Sequence, residues 1–168
     1  ARATFPDWPE PCTVPTFGQV LDVVSILPVL LIEIKGDTPE RLDRIVPATV
    51  AEIVRRDLGD RVTITSFDPY ALELAQREAP ALQRGYIGDW NEPRFLETAL
   101  ALGCTQIDAR HTTADRALVA EAKAHGLRVV GWPTNTQEDL ASVLSLEPDM
   151  FCTDCPTLLM ELVEADRL

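Results

Sequence analysis

The chain has 168 residues, 46% hydrophobic and 25% charged, with a formal net charge of −12. That length carries one domain with a real core rather than two, so residues 1–168 read as a single domain, and the composition excludes disorder. The negative charge repels phosphate backbones and anionic lipid surfaces, which excludes bulk binding to nucleic acid or membrane. A local phosphate site stays open wherever a Lys or a metal reverses the sign.

Pro6, Pro9, Pro11 and Pro15 crowd the start of the chain. Proline at that density prevents regular helix or central strand, so residues 1–15 read as an irregular lead-in. No apolar run reaches the ~18 residues of a membrane span, the stretch Ile26–Ile32 being short and interrupted by Pro28. There is no transmembrane segment in this reading. A cytoplasmic location is expected, and the first residue, Ala1, leaves open a removed leader and hence a periplasmic or secreted location.

After the lead-in, a short apolar run followed by a capped amphipathic helix recurs along the chain. Val29–Lys35 reads as a buried strand, with Thr38 and Pro39 as N-cap and first helical residue of a helix through Val54 that Pro47 kinks. Arg61–Ser66 is the second strand, with Asp68-Pro69 opening a helix to Ala79. The third unit is Leu82–Ile87 and a helix from Glu92 to Leu102 ended by Gly103. The fourth is Cys104–Asp108 and a helix from Thr113 to His125 ended by Gly126. The fifth is Leu127–Trp132 with a helix from Thr136 to Ser145, and the sixth Asp149–Cys152 with a helix from Pro156 to Ala165.

Strands alternating with helices imply βαβ units and a parallel sheet. Two architectures satisfy that: a doubly wound open sheet, or an α/β (TIM) barrel of the (β/α)8 type, here incomplete with about six βα units. No Gly-rich dinucleotide fingerprint or Walker loop follows any strand, which takes weight from the nucleotide-binding open sheets. A complete barrel needs about 250 residues. Six units leave a gap with open edges and an apolar interior, so a barrel requires something else to close it.

In such folds chemistry collects where strands end. Glu33 and Lys35 are separated by one residue and share a face of the first strand. They read either as a solvated rim ion pair or as a carboxylate for a hard cation beside an ammonium for a phosphate oxygen. Ser66 either shapes its turn or donates to a ligand, and Asp68 reads as a helix N-cap. His111 is a loop histidine or a general acid–base, and His125 complements a helix C-terminus. Trp132 offers an apolar wall at a strand end. Cys152 and Cys155 form a lone C-x-x-C without a second Cys/His pair, read as a strand-end and a helix-start cysteine.

In order and spacing, several of these segments resemble the glycerophosphodiester phosphodiesterase family. The segments are Val14-Pro15-Thr16-Phe17-Gly18-Gln19-Val20-Leu21, Ile32-Glu33-Ile34-Lys35, Ser66-Phe67-Asp68, and the stretch from Gly126 to Pro156 with Gly131-Trp132-Pro133-Thr134-Asn135 and Thr153-Asp154-Cys155-Pro156. The resemblance implies a (β/α)8 barrel phosphodiesterase that hydrolyses glycerophosphodiesters, small-molecule substrates, to glycerol 3-phosphate and an alcohol, with a bound Mg²⁺ or Ca²⁺. It implies Glu33 as a metal ligand, Lys35 on the substrate phosphate and Trp132 against the glycerol. The Pro-Thr after Trp132 departs from the family's Thr-Val, so the backbone there is expected to differ.

The family's His-Arg-Gly motif, Glu-x-Asp metal pair and His-Asp motif do not occur in this sequence, so no catalytic residue is assigned. They belong to the part of the barrel that the six units lack. Three alternatives follow: a fragment whose N-terminal segment is missing, a chain closed by a partner, or a non-catalytic binding or interaction module. An unrelated α/β phosphate-binding enzyme with an open sheet is the remaining reading.

Overall fold

The computed structural model describes residues 13–165. Six strands form one parallel sheet: β1 (Leu30–Glu33), β2 (Val62–Ser66), β3 (Gln83–Gly88), β4 (Gln106–Arg110), β5 (Arg128–Trp132) and β6 (Met150–Phe151). Neighbours in the sheet are neighbours in sequence throughout, β1 to β6. A doubly wound sheet reverses its order at a switch point; this one does not, and it curls into an incomplete barrel with helices on its convex side. The incomplete TIM-barrel reading therefore holds.

Alternation separates two sets of side chains. Leu30, Val62, Ile64, Tyr86, Ile107, Ala109 and Val129 point outward into the main core with the helices. Leu31, Glu33, Thr65, Ile87, Asp108, Val130 and Trp132 point inward and line a concave cavity. At the end of that concave face where the strands begin, Arg128 donates to Thr63 Oγ1 at 3.1 Å and to Gln83 Oε1. This polar cross-link joins β2, β3 and β5.

The helices are α1 (Phe17–Val24), α2 (Pro39–Arg55), α3 (Pro69–Glu78), α4 (Phe95–Ala101), α5 (Arg116–Ala124), α6 (Gln137–Ser145) and α7 (Pro156–Ala165). The first is a correction to the sequence reading, which places no helix there. Thr16 and Gln19 form a reciprocal capping box, and Leu21 is buried at 1% exposure. Arg56 fastens α1 to α2 through Asp22 (2.6 Å), Glu52 (2.7 Å) and the carbonyl of Gly18 (3.0 Å). Of the expected lead-in over residues 1–15, residues 1–12 lie outside the described residues and 13–15 are irregular.

Three boundaries move for identifiable reasons. Helix α4 starts at Phe95 rather than Glu92, because Asp89 accepts from the Asn91 N–H (2.9 Å) and makes a turn there, and Pro93 disfavours helix in the residue before it. Helix α5 starts at Arg116 because Asp115, not Thr113, supplies the cap, accepting from Leu118 N at 2.9 Å. Strand β4 runs two residues later than expected, to Arg110, because Gly103 at φ 61° and the turn after it use up Cys104 and Thr105. At α2, Thr38 occupies the N-cap position without a side-chain bond, and α2 continues as one helix through Pro47. Asp68, as expected, caps α3 by accepting from Tyr70 N at 3.0 Å.

Candidate functional site

Where strands β1 to β6 end, their inward residues and the turns beyond them line a cavity of about 360 Å³. Glu33 and Lys35 both line it, and Lys35 Nζ donates to Glu33 Oε1 at 2.6 Å. Period-two alternation thus delivers the same-face pair that the sequence predicts. The pair is at the rim, with Lys35 78% and Glu33 32% exposed, so its mutual attraction is weak in stability terms and both groups are available to a ligand.

Trp132 lines the same cavity opposite β1. Its indole N–H donates to the carbonyl of Asp108 at 3.1 Å, Phe67 meets it edge-on with ring centroids 5.8 Å apart, and the Arg110 guanidinium lies 4.3 Å from its ring centre. Three contacts therefore fix the ring's orientation. The peptide between Trp132 and Pro133 is cis.

Asp108 is the residue that sequence reasoning missed. It is 6% exposed and lies in the cavity wall, with Oδ1 accepting from Gln106 Nε2 at 2.7 Å. Burial pushes its carboxyl up to about 7; the Gln106 hydrogen bond and the Arg128 charge pull the other way, and the charge of Glu33 adds to the rise. Its signal was present in the alternation Gln106, Asp108, Arg110 against Ile107 and Ala109.

The other candidates lie elsewhere or serve the fold. His111 is buried behind the site, with Nδ1 3.1 Å from Ser142 Oγ and Nε2 3.4 Å from Asp139 Oδ1. The Nε2 contact is an ion-pair distance only, without hydrogen-bond geometry. This cluster clamps the turn after β4 onto α6 and does not face the cavity. Ser66 donates to the carbonyl of Ile34 at 2.6 Å and accepts from Asp68 N at 3.0 Å, so it shapes the turn. His125 is the C-cap of α5. Cys152 lines the cavity and Cys155 is exposed; both thiols are free.

A hard divalent cation takes about six to eight oxygen ligands. No group of three His, Cys, Asp or Glu side chains among the described residues is placed to hold a metal ion. Glu33 is therefore a single candidate ligand and not, with its described neighbours, a metal centre. No helix among the described residues is long and apolar enough to cross a membrane.

Known proteins share this fold. A family model for the glycerophosphoryl diester phosphodiesterase family matches residues 2–158. A glycerophosphodiester phosphodiesterase from Caldanaerobacter subterraneus subsp. tengcongensis is 25% identical over 154 residues, an overlap of 89% of this chain and 62% of that protein. A solved structure from Silicibacter pomeroyi DSS-3 bearing the family name superposes with a TM-score of 0.82 at 25% identity, covering 92% of this chain and 58% of its own. An Oleispira antarctica phosphodiesterase, solved in complex with the product sn-glycerol-3-phosphate, gives a TM-score of 0.79 at 21% identity, over 90% of this chain and 62% of its own. The chain thus spans 58–62% of the length of these relatives. Because the family model matches residues 2–158 of its 168, the chain belongs to the glycerophosphoryl diester phosphodiesterase family.

Proposed function

We propose that the concave mouth is part of a phosphodiesterase site that hydrolyses glycerophosphodiesters to glycerol 3-phosphate and an alcohol. The observation that carries the reading is the meeting of Glu33, Lys35 and Trp132 in one cavity at the strand ends. Lys35 places a cation where a phosphate oxygen gains charge during displacement. Trp132, held from three sides, offers a flat apolar wall to the glycerol carbons. Glu33 would serve as one oxygen ligand of Mg²⁺ or Ca²⁺, with the remaining ligands coming from outside the described residues. The complex of the Oleispira relative with sn-glycerol-3-phosphate supports the choice of ligand.

Proton transfer to the leaving alcohol needs a group near the reacting atoms, and His111 does not face the cavity. Among the described residues β1 and β6 are the two edges of the sheet, each paired on one side alone. Further strands, from an N-terminal segment or a partner chain, would close the barrel and supply the missing groups.

The test is release of glycerol 3-phosphate from glycerophosphocholine with Mg²⁺ or Ca²⁺, by the 168-residue chain alone and by the same chain completed with a segment or partner that carries the His-Arg-Gly motif. The chain alone is expected to give no turnover. Turnover by it would overturn the partial-site reading, and an inactive completed barrel would overturn the enzyme reading. Exposed Val20, Val23, Ile26, Leu27 and Val29 beside the β1 edge favour a second reading, a binding module that associates through this side. Sedimentation of a lone, well-folded monomer would count against it.

A further inference from the structure

Alternation puts Gln106, Asp108 and Arg110 on one face of β4: Asp108 lines the cavity, Gln106 is buried below it, and Arg110 at the strand end adjoins the cavity through the ring of Trp132. The first two are tied to each other by a hydrogen bond of 2.7 Å. Arg110 is held differently. Its guanidinium is 4.3 Å from the centre of the Trp132 ring, and its Nε stands 3.6 Å from Asp89 Oδ2, an ion-pair distance too long for a hydrogen bond. Its side chain is 43% exposed. Among the described residues its N–H groups therefore stand oriented by a ring and a charge, yet without hydrogen-bond acceptors. A planar cation fixed in this way presents a row of donors beside the wall on which an organic group would rest.

The geometry points to Arg110 as the residue that selects what packs against Trp132: it donates hydrogen bonds to the hydroxyls of a polyol and so favours a hydroxylated group over an alkyl or a quaternary ammonium one. This rests on the reading of the cavity as a phosphodiester site, with phosphate near Lys35. Two physical effects act together. A hydroxyl within reach of the guanidinium gains a charge-assisted bond that an alkyl chain cannot make. A trimethylammonium group seeking the Trp132 face meets a cation already on that ring, and like charges at such distances repel.

The role differs from bracing. A guanidinium that only steadied Trp132 would, on removal, weaken every ligand alike. One that reads hydroxyls would weaken only the ligand that carries them.

Three probes with a common phosphate separate these cases: glycerol 3-phosphate, n-propyl phosphate and phosphocholine, titrated calorimetrically into the full chain, its Arg110→Met variant and its Arg110→Lys variant. Arg110→Met keeps an apolar stem on the ring and loses the charge. The wild-type chain is expected to bind glycerol 3-phosphate on the order of five- to tenfold more tightly than n-propyl phosphate, with phosphocholine weakest. In Arg110→Met the three affinities converge, with n-propyl phosphate unchanged. Arg110→Lys retains part of the preference. Equal binding of the first two probes by the wild-type chain, or a uniform loss in Arg110→Met, would overturn the role assigned to Arg110 and leave the phosphate site intact. Absence of binding by all three would overturn both that role and the phosphodiester reading.

Discussion

The indole N–H of Trp132 donates to the main-chain carbonyl of Asp108, 3.1 Å away, so an aromatic wall on β5 is fastened to the neighbouring strand that carries the buried acid. Replacing Trp132 by Phe removes that bond and much of the ring beneath Arg110. The expected cost is about 1–2 kcal/mol of unfolding free energy, measured by urea denaturation. An unchanged midpoint would mean that the ring is not fastened as described.

Asp108 makes the stability of the fold depend on pH. Its carboxyl titrates near 7 in the folded chain against an ordinary 3.8, so the native state disfavours ionisation. The stability contributed by the neutral carboxyl is complete below pH 3.8 and is lost as pH rises through about 7. At 1.36 kcal/mol per unit the loss is on the order of 4 kcal/mol. Asp108→Asn keeps an acceptor for Gln106 and cannot ionise. The variant should gain on the wild type progressively from pH 4 to pH 8 in a denaturation series, and parallel pH profiles would contradict the assignment.

Gly131 sits where α6 presses on β5. A Cβ there would approach Val143 Cγ1 to 2.9 Å, closer than side chains tolerate. Gly131→Ala should destabilise the chain by about 1–3 kcal/mol through overpacking. Adding Val143→Ala should remove the clash, so that the double variant costs less than the sum of the two single changes. Strict additivity would place the two residues out of contact.

Helix α1 depends on Arg56 for much of its attachment, through Asp22, Glu52 and the Gly18 carbonyl. The paired arginines Arg55 and Arg56 hold the Glu52 carboxyl down at about 2, so this attachment persists through mildly acid pH. Arg56→Gln should speed amide hydrogen exchange across Phe17–Val24 while leaving the strands protected. Equal acceleration in β2 and β3 would show that α1 is not a separable unit.

Most of the sheet and the Glu33–Lys35 pair were legible because period two is a local property: residues two apart share a face wherever the strand lies. The cap residue Asp68 was legible for the same reason, since it bonds Tyr70 two residues on. Asp108 was not, because its importance comes from burial in the cavity wall between β3 and β5, which no local pattern reports. Arg110 depends likewise on Trp132, 22 positions on in the chain. Helix α1 was hidden by the prolines before it, although Thr16 and Gln19 had the spacing of a capping box. The start of α4 was hidden by Pro93, which apolar periodicity alone ignores.

Binding of glycerol 3-phosphate to the full chain and to its Lys35→Met variant, by calorimetry, bears most directly on the cavity as a phosphate site. The expected result is saturable binding at one site by the wild-type chain and a loss of at least about tenfold in the variant, the scale of a charge-assisted contact to phosphate. Undiminished affinity in Lys35→Met would contradict it.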